Sequence, residues 1–324
     1  MSMPPMPPGG GPGLPGSGRR PWMLIGVVFA AVVVLVVGLL VWQARSGDAS
    51  ESADAGLDRT VGLLTEKDPV CDDWIRYADE LAEETQEWSA IDKTISAGRW
   101  TPEQRAVVER ASEAMTSAAD RFESILPKAE NVVLQELITQ SIVFWRKYVE
   151  RLPTYVYTDS MIAGVAGNFG SATTFMCTAV PIVVAGNYTA NPVTSSAEDP
   201  DELTPFIFAS DDSCEGIISL LDRQNRVLRG WASGDPSVPA AEWTANERKL
   251  NEAAIPVLEA DAWQAQKLAE ATSNSILSDI LTTYGSYLRA YTQALPDYEP
   301  DDGQLWKIAT FLGGGLGAAC KAPL

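Results

Sequence analysis

The chain of 324 residues contains no histidine. This absence excludes Ser-His-Asp and Cys-His catalysis and every zinc site that depends on imidazole. The sequence also lacks the GxSxG, P-loop and GxGxxG motifs that mark a hydrolase nucleophile, a phosphate site or a dinucleotide site. Paired carboxylates can still perform acid–base chemistry, but no spacing singles out a pair. We therefore predict a non-enzymatic protein without a cofactor or a metal.

Basic residues are scarce, with 24 Lys and Arg against 43 Asp and Glu. Arg19, Arg20 and Arg45 precede every acidic residue, so positions 46–324 carry a net charge of −22. A surface this acidic repels nucleic acid and anionic lipid. We expect no nucleic-acid partner.

The sequence repeats itself. At an offset of 143, residues 71–177 align with residues 214–320 without a gap, and 24 of the 107 paired positions are identical. Chance would give roughly 6 identities at ordinary residue frequencies. We interpret the repeat as a tandem duplication of a domain-sized module. The shared residues include Trp88 and Trp231, Trp100 and Trp243, Asn131 and Asn274, and Tyr155 and Tyr298.

Each copy of the repeat contains two of the four cysteines, 106 positions apart. Four cysteines allow three pairings, and only Cys71–Cys177 with Cys214–Cys320 respects the repeat. An even number of cysteines favours structural disulfides formed in an oxidising compartment. Metal binding is the weaker interpretation, because the chain has neither CxxC nor histidine.

Residues 23–41 carry no charged or strongly polar side chain, and a tryptophan flanks them on each side. Such a segment is long enough to cross the ~30 Å hydrocarbon core of a membrane. We predict a transmembrane helix at 22–42 that anchors the protein at the cell membrane. A cleaved signal peptide is the alternative, which we disfavour because the apolar run exceeds the usual ~7–15 residues.

The predicted anchor divides the chain into two parts. Residues 1–21 are rich in proline and glycine, which predicts a disordered tail, and Arg19 and Arg20 place this tail in the cytoplasm. Residues 43–66 form a juxtamembrane linker in this interpretation, and everything after them lies outside the cytoplasm.

Apolar residues recur every three or four positions in both copies, which predicts an all-α fold with two tandem four-helix bundles, each closed by its disulfide. We assign 67–177 to the first copy, 178–213 to a linker and 214–324 to the second copy. Four helices are expected in the first copy, near 67–95, 101–125, 131–151 and 159–177. Thr101 and Thr244 each begin a capping box. The linker sequences PIVVAG and PFIFAS are expected to form short extended pieces.

Several charged residues recur at equivalent positions and are candidate site residues. They form either one polar site in each copy or a structural network, and we favour the network. In that network Arg105 pairs with Glu109 one turn further on, and Arg146 contacts Asp79 across the bundle. The recurring candidates are Arg105 and Arg248, Arg146 and Arg289, and Asp79 and Asp222.

Two further groups invite a functional interpretation. Trp88, Trp100, Tyr148 and Tyr155 suit an aromatic ligand pocket, but we expect them in the core or at helix junctions. The acidic loop 295–303 offers oxygen ligands of the kind calcium prefers. Its spacing does not match an EF-hand, and we predict no metal there.

The layout resembles that of single-pass cell-envelope proteins of high-GC actinobacteria. The shared features are a Pro/Gly-rich tail, Arg19-Arg20, one apolar span and an acidic, Ala-rich, disulfide-bonded ectodomain. The resemblance implies an envelope role and transfers no site residue. We predict a membrane-anchored extracytoplasmic scaffold or accessory protein that binds an envelope partner. The alternative is a sensor or carrier that holds a small molecule or lipid inside the bundles. The sequence leaves the oligomeric state undecided.

Overall fold

The structure, a computed structural model, describes residues 57–189, 192–208 and 211–324. The predicted cytoplasmic tail, the transmembrane helix at 22–42 and most of the juxtamembrane linker lie outside the described residues. The described part is mostly helical, and all of it belongs to one compact unit.

Within these ranges the structure contains nine α-helices and two short strands. The strands β1 and β2 pair antiparallel, with Thr60 opposite Thr194 and Val61 opposite Val193. The elements in chain order are β1 (Thr60–Val61), α1 (Cys71–Glu84), α2 (Gln86–Ser89), α3 (Pro102–Ile125), α4 (Val132–Arg151), α5 (Ser160–Gly186), β2 (Val193–Thr194), α6 (Ser213–Val227), α7 (Ala245–Ala271), α8 (Ser275–Ala294) and α9 (Gly303–Ala319).

Local sequence sets equivalent helix starts in the two halves. The hydroxyl of Thr101 accepts the N–H of Gln104 at 3.2 Å, and the Gln104 side chain accepts the N–H of Thr101 at 3.0 Å. Thr244 and Glu247 repeat this capping box at the start of α7, so both predicted boxes are confirmed. Asparagine side chains cap α4 and α8 in the same way. The starts of α3 and α7 and of α4 and α8 differ by the repeat offset of 143, and so do those of α5 and α9, which have no side-chain cap.

Two expected helix boundaries are wrong. Helix α1 ends at Glu84 and not near residue 95, because the backbone of Thr85 leaves the helical region, with φ −102° and ψ 8°. Helix α5 continues through PIVVAG, which we expected to be extended, because Val180 and Val183 are buried against the core. It ends at Asn187, which adopts the left-handed conformation with φ 45°. In PFIFAS, residues 205–208 are described and belong to neither helix nor strand.

The two disulfides join the pairs expected from the repeat. Cys71 bonds to Cys177 and Cys214 to Cys320, with Cα–Cα distances of 5.5 and 5.4 Å. In each half the long helices pack in sequence order, and the first also contacts the last, which the disulfide links to it. That each half descends from one ancestral four-helix bundle stays our interpretation of this arrangement.

The most extensive helix contact, between α5 and α9, joins the two halves. Phe175 stacks on Phe311 with ring centroids 5.5 Å apart. The contact is reciprocal: Gly164 lies against Ala318, and the residues at the equivalent positions, Lys307 and Phe175, also meet. A single hydrophobic core therefore runs through both halves.

Helix α5 with its preceding turn, residues 157–186, is long and apolar enough to cross a membrane by length and composition alone. It is nevertheless packed between α4 and α9, and Val165, Phe169 and Ala172 on it are fully buried. We therefore interpret α5 as a core helix. Glycine and alanine are abundant in it because they allow its neighbours to approach closely.

Candidate functional site: a buried acid pair between equivalent helices

The six recurring charged candidates do not form one site. Arg105, Asp79 and Asp222 are exposed. Arg248 is also exposed, and it donates a hydrogen bond to the Ala240 carbonyl oxygen at 2.8 Å. Arg289 is half-buried on α8. Their recurrence therefore does not correspond to a shared pocket.

The expected contact between Arg146 and Asp79 is wrong. Arg146 on α4 forms ion pairs with Asp120, at 2.9 Å, and with Glu123, both on the adjacent helix α3. These hydrogen bonds raise the pKa of Arg146, with Glu123 the largest contributor. Within the described residues Arg105 has no ion pair with Glu109, and both side chains point to solvent.

The aromatic candidates form the same cluster in both halves. Trp100 stacks on Tyr155 with centroids 5.6 Å apart, and Trp243 stacks on Tyr298 at 5.9 Å. Each tyrosine hydroxyl donates to an equivalent carbonyl oxygen, that of Lys93 at 2.7 Å or that of Pro236 at 2.8 Å. The rings thus fasten the loop before α3 or α7 to the turn after α4 or α8. This arrangement is helix-junction packing and leaves no room between the stacked rings for a ligand.

A different pair of residues forms the unusual feature of the molecule. Glu136 on α4 and Asp279 on α8 occupy equivalent positions of the two halves. The two helices contact each other, and each carboxyl group shifts the pKa of the other. Glu136 is fully buried and Asp279 is 4% exposed. Both oxygens of Glu136 and one oxygen of Asp279 have no hydrogen-bond donor among the described residues. Two carboxyl groups can hydrogen bond only when one of them carries a proton.

A short strap covers this acid pair. We use this name for residues 57–64 and 192–197, which include β1 and β2. Its backbone is fixed to both helices, because the Val132 N–H donates to the Asp58 carbonyl oxygen at 2.8 Å and the Leu64 N–H donates to the Tyr287 hydroxyl at 3.2 Å. Gly62, with φ 136°, lets the strap approach Ser286 on α8. The acid pair is therefore closed off from solvent by a thin segment without helical structure.

The strap supplies one positive charge and one neutral donor to the pair. The Arg59 guanidinium donates to the carbonyl oxygens of Ser195, at 3.2 Å through Nε, and of Ala197. From this position its charge acts on both carboxyl groups. The Ser195 hydroxyl accepts the Ala197 N–H at 3.0 Å, and as a neighbouring donor it lowers the pKa of Asp279.

The electrostatics of the pair are those of carboxyl groups that hold a proton. Burial raises the pKa of Glu136 well above its ordinary value, the neighbouring Asp279 raises it further, and Arg59 opposes both effects. Burial also raises the pKa of Asp279, against hydrogen bonds from Ser195 and Glu136 and the charge of Arg59. An ionised carboxylate in this position would have lost its water without gaining enough donors.

A second buried carboxylate, Asp261 on α7, is not repeated. Arg223 on α6 donates to its Oδ1, while burial raises its pKa. The first half has Ala118 at the position of Asp261, and there an ion pair between Arg121 and Glu80 joins the corresponding helices. The two halves thus use opposite charge arrangements for the same helix contact, which identifies Asp261 as a structural residue.

The sequence contains a signal for the acid pair that comparison of identical residues does not detect. Glu136 lies between Leu134 and Leu137 on the apolar third helix, and Asp279 precedes Ile280 and Leu281 at the aligned position. An acid on the core face of both copies is expected to meet other buried groups. The two copies differ at this position, with Glu in one and Asp in the other, so identity between the copies does not select it.

No cluster of metal-ligating side chains occurs among the described residues. In the acidic loop 295–303, Asp302 accepts the Glu299 N–H at 2.9 Å and the Tyr188 hydroxyl at 3.1 Å. Asp159 caps the equivalent turn by accepting the Val156 N–H at 2.8 Å. The chemistry available at the acid pair is accordingly proton binding.

These features define a class: an acidic, mostly helical protein with two disulfides, which suit an oxidising compartment. The chain belongs to the family described as Mycobacterial ESX-1 associated protein, whose model matches residues 50–324. It is also 26% identical to an uncharacterized protein of Mycolicibacterium smegmatis (strain MKD8), in an alignment that covers 93% of this chain and 86% of that protein. No solved structure matches it. The family agrees with the actinobacterial resemblance seen in the sequence.

Proposed function

We propose that this protein is a membrane-anchored, extracytoplasmic scaffold or accessory protein that binds a secretion or envelope component. The observation that carries the proposal is membership of the ESX-1 associated family over residues 50–324. That region contains both disulfides and the whole compact helical unit. The family description suggests that the protein acts in a secretion-related or envelope context.

The proposed location has two supports. The disulfides favour an oxidising compartment outside the cytoplasm. The apolar segment 23–41 has the length and flanking tryptophans of a membrane anchor. Alkaline phosphatase fused after Leu324 should be active in the mycobacterial host. The same enzyme fused before the anchor should be inactive, and the reverse pattern would contradict the topology.

A non-enzymatic role fits the chemistry of the chain. The chain has no histidine, and the acid pair at Glu136 and Asp279 lies beneath the strap, away from any substrate. The contact between the halves supports a scaffold over a carrier, because it is filled by side chains. A Cβ atom added at Gly315 would lie 2.2 Å from the ring of Phe169, and the Phe175 ring covers Phe311 nearby.

The test of partner binding uses equivalent positions in the two halves. Trp263 on α7 is 58% exposed, and Asp120 occupies the same position on α3 with a side chain that is 66% exposed. A photo-cross-linking amino acid is introduced at each position, and mycobacterial cells are irradiated before membrane extraction and mass spectrometry. We expect a defined product with a secretion or envelope protein from one position, with the other as its matched control.

Absence of any product at both positions, in cells with ESX-1-dependent secretion, would contradict the scaffold proposal. Deletion of the gene supplies a second test. We expect reduced ESX-1-dependent secretion, restored by the wild-type chain. Unchanged secretion would contradict the proposed context.

A further inference from the structure

Glu136 and Asp279 are the two carboxyl groups that lie at equivalent, buried positions of α4 and α8. Equivalent positions can touch only where equivalent elements of the two halves face each other. Helices α4 and α8 do so, and they bring Glu136 and Asp279 together. Both residues are buried, and three of their four carboxyl oxygens find no donor in the described protein. A buried carboxyl without donors requires either a proton or a cation.

The charges around the pair favour a proton over a metal ion, and they indicate that the two carboxyl groups share one proton. Two ionised carboxylates and the Arg59 guanidinium sum to one negative charge. One proton makes the group neutral and provides the hydrogen bond between the two carboxyls, whereas two protons would leave the charge of Arg59 uncompensated. A metal ion is disfavoured because no third acidic ligand joins the pair among the described residues.

The other titratable groups around the pair do not change this count. Asp261 on α7, which packs on α8, has its own partner in Arg223, and on α3, which packs on α4, Asp120 and Glu123 pair with Arg146. On the strap, burial opposes the ionisation of Asp58, but hydrogen bonds from Thr60 and Asn131 lower its pKa overall. On α8, burial raises the pKa of Tyr287, so it stays neutral. Helix α5, which packs on α4, contains no Asp, Glu, Lys, Arg or Tyr. On α9, which packs on α8, the one charged residue is Lys307, whose amine lies over the Phe175 ring.

We propose that Glu136 and Asp279 form a proton-binding site, which holds one proton between the two carboxyl groups and keeps the strap closed while the proton is bound. Loss of the proton leaves two like charges close together without water. The strap lies over them and is held by a two-residue strand pair and a few hydrogen bonds. Its opening admits water to the ionised pair and relieves the repulsion. The molecule thereby couples the external pH to the exposure of the α4–α8 surface.

The closed form binds the proton more tightly than the open form does, and this difference sets the direction in which the strap equilibrium changes with pH. A carboxyl group whose pKa is raised by folding stabilises the closed form fully below its ordinary value of about 4. This stabilisation is lost as pH rises through the raised value. One proton released on opening increases the opening equilibrium constant tenfold per pH unit within this window. At still higher pH the closed form is also ionised and the dependence levels off.

Hydrogen exchange of the full chain in detergent tests the proposal. The amides to follow are those of Ser195, which donates to the Arg59 carbonyl oxygen, and of Leu64, which donates to Tyr287. After correction for intrinsic exchange, we expect their protection to fall by up to tenfold per pH unit above about pH 4. In Glu136→Gln, whose amide donates to the Asp279 carboxylate, we expect a flat profile and higher protection at neutral pH.

The matched control is Glu150→Gln, the same substitution at an exposed position of α4, which should keep the wild-type slope. If Glu136→Gln does not fold, Asp279→Asn provides the same test. The infrared difference spectrum of wild type minus Glu136→Gln should show the carbonyl stretch of one protonated carboxylic acid at about pH 5, because the ordinary carboxyl groups are common to both proteins and cancel. Identical pH profiles for wild type and Glu136→Gln, or absence of the infrared band, would overturn the proposal.

Discussion

Gly315 provides a quantitative test of how the two halves join. It lies on α9 where that helix meets α5, and a Cβ atom there would lie 2.2 Å from the Phe169 ring. Phe169 is fully buried and packs against Phe206, with centroids 5.7 Å apart. The ring therefore has no free volume into which it can turn. We expect Gly315→Ala to force α5 and α9 apart.

The magnitude comes from comparison with Gly167, which lies on α5. A Cβ atom at Gly167 would meet nothing within 4 Å. Replacing a helical glycine by alanine gains up to about 1 kcal/mol of helix stability at either position. Only Gly315→Ala adds overpacking, which costs about 1–3 kcal/mol. The depth of the clash places this variant at the upper end of that range, so the two variants should differ by about 3 kcal/mol.

Urea unfolding of the full chain in detergent, followed by tryptophan fluorescence, measures this difference. We expect the midpoint of Gly315→Ala to fall below that of the wild type, and the midpoint of Gly167→Ala to match or exceed it. The slope should stay the same, since neither change alters the surface exposed on unfolding. A Gly315→Ala protein as stable as Gly167→Ala would refute the described packing of α5 on α9.

Three further sets of substitutions test the helix caps, one disulfide and one surface ion pair. Thr101→Ala and Thr244→Ala each remove a capping box and should lower the free energy of unfolding in urea by about 1 kcal/mol. Replacing both Cys71 and Cys177 by serine should cost about 4–5 kcal/mol, because the closed loop is long; a thermal midpoint that reduction of the wild type fails to lower would contradict this. Arg146→Ala should cost less than about 1 kcal/mol at moderate salt and nothing in high salt, since its ion pairs are partly solvated.

The parts of the fold predicted from the sequence are those that depend on neighbours along the chain or on the repeat. The capping threonines were predictable because each bonds to a residue three positions away. The disulfide pairing was predictable because only one choice gives both copies the same bridge. Such signals require no knowledge of how the helices pack.

The parts that could not be predicted depend on packing between distant segments. Arg146 bonds to residues of α3 and not to Asp79 because the helix order and rotation, which periodicity does not fix, bring α3 to its side of α4. The strand pair β1–β2 joins residues more than 130 positions apart through two residues on each side, too few for an alternating pattern. PIVVAG looked extended, but burial against the core kept it helical.

The repeat, which we interpret as a tandem duplication, accounts for the shortage of positive charge at the acid pair. In this interpretation, a residue that meets its own copy where the two halves join places two acids together. Arg59 has no counterpart in the second half, because it precedes the repeat and the position 143 residues later is Glu202, which is exposed. Two carboxyl groups therefore share one guanidinium at the contact between the halves. The missing positive charge is the one that a bound proton supplies.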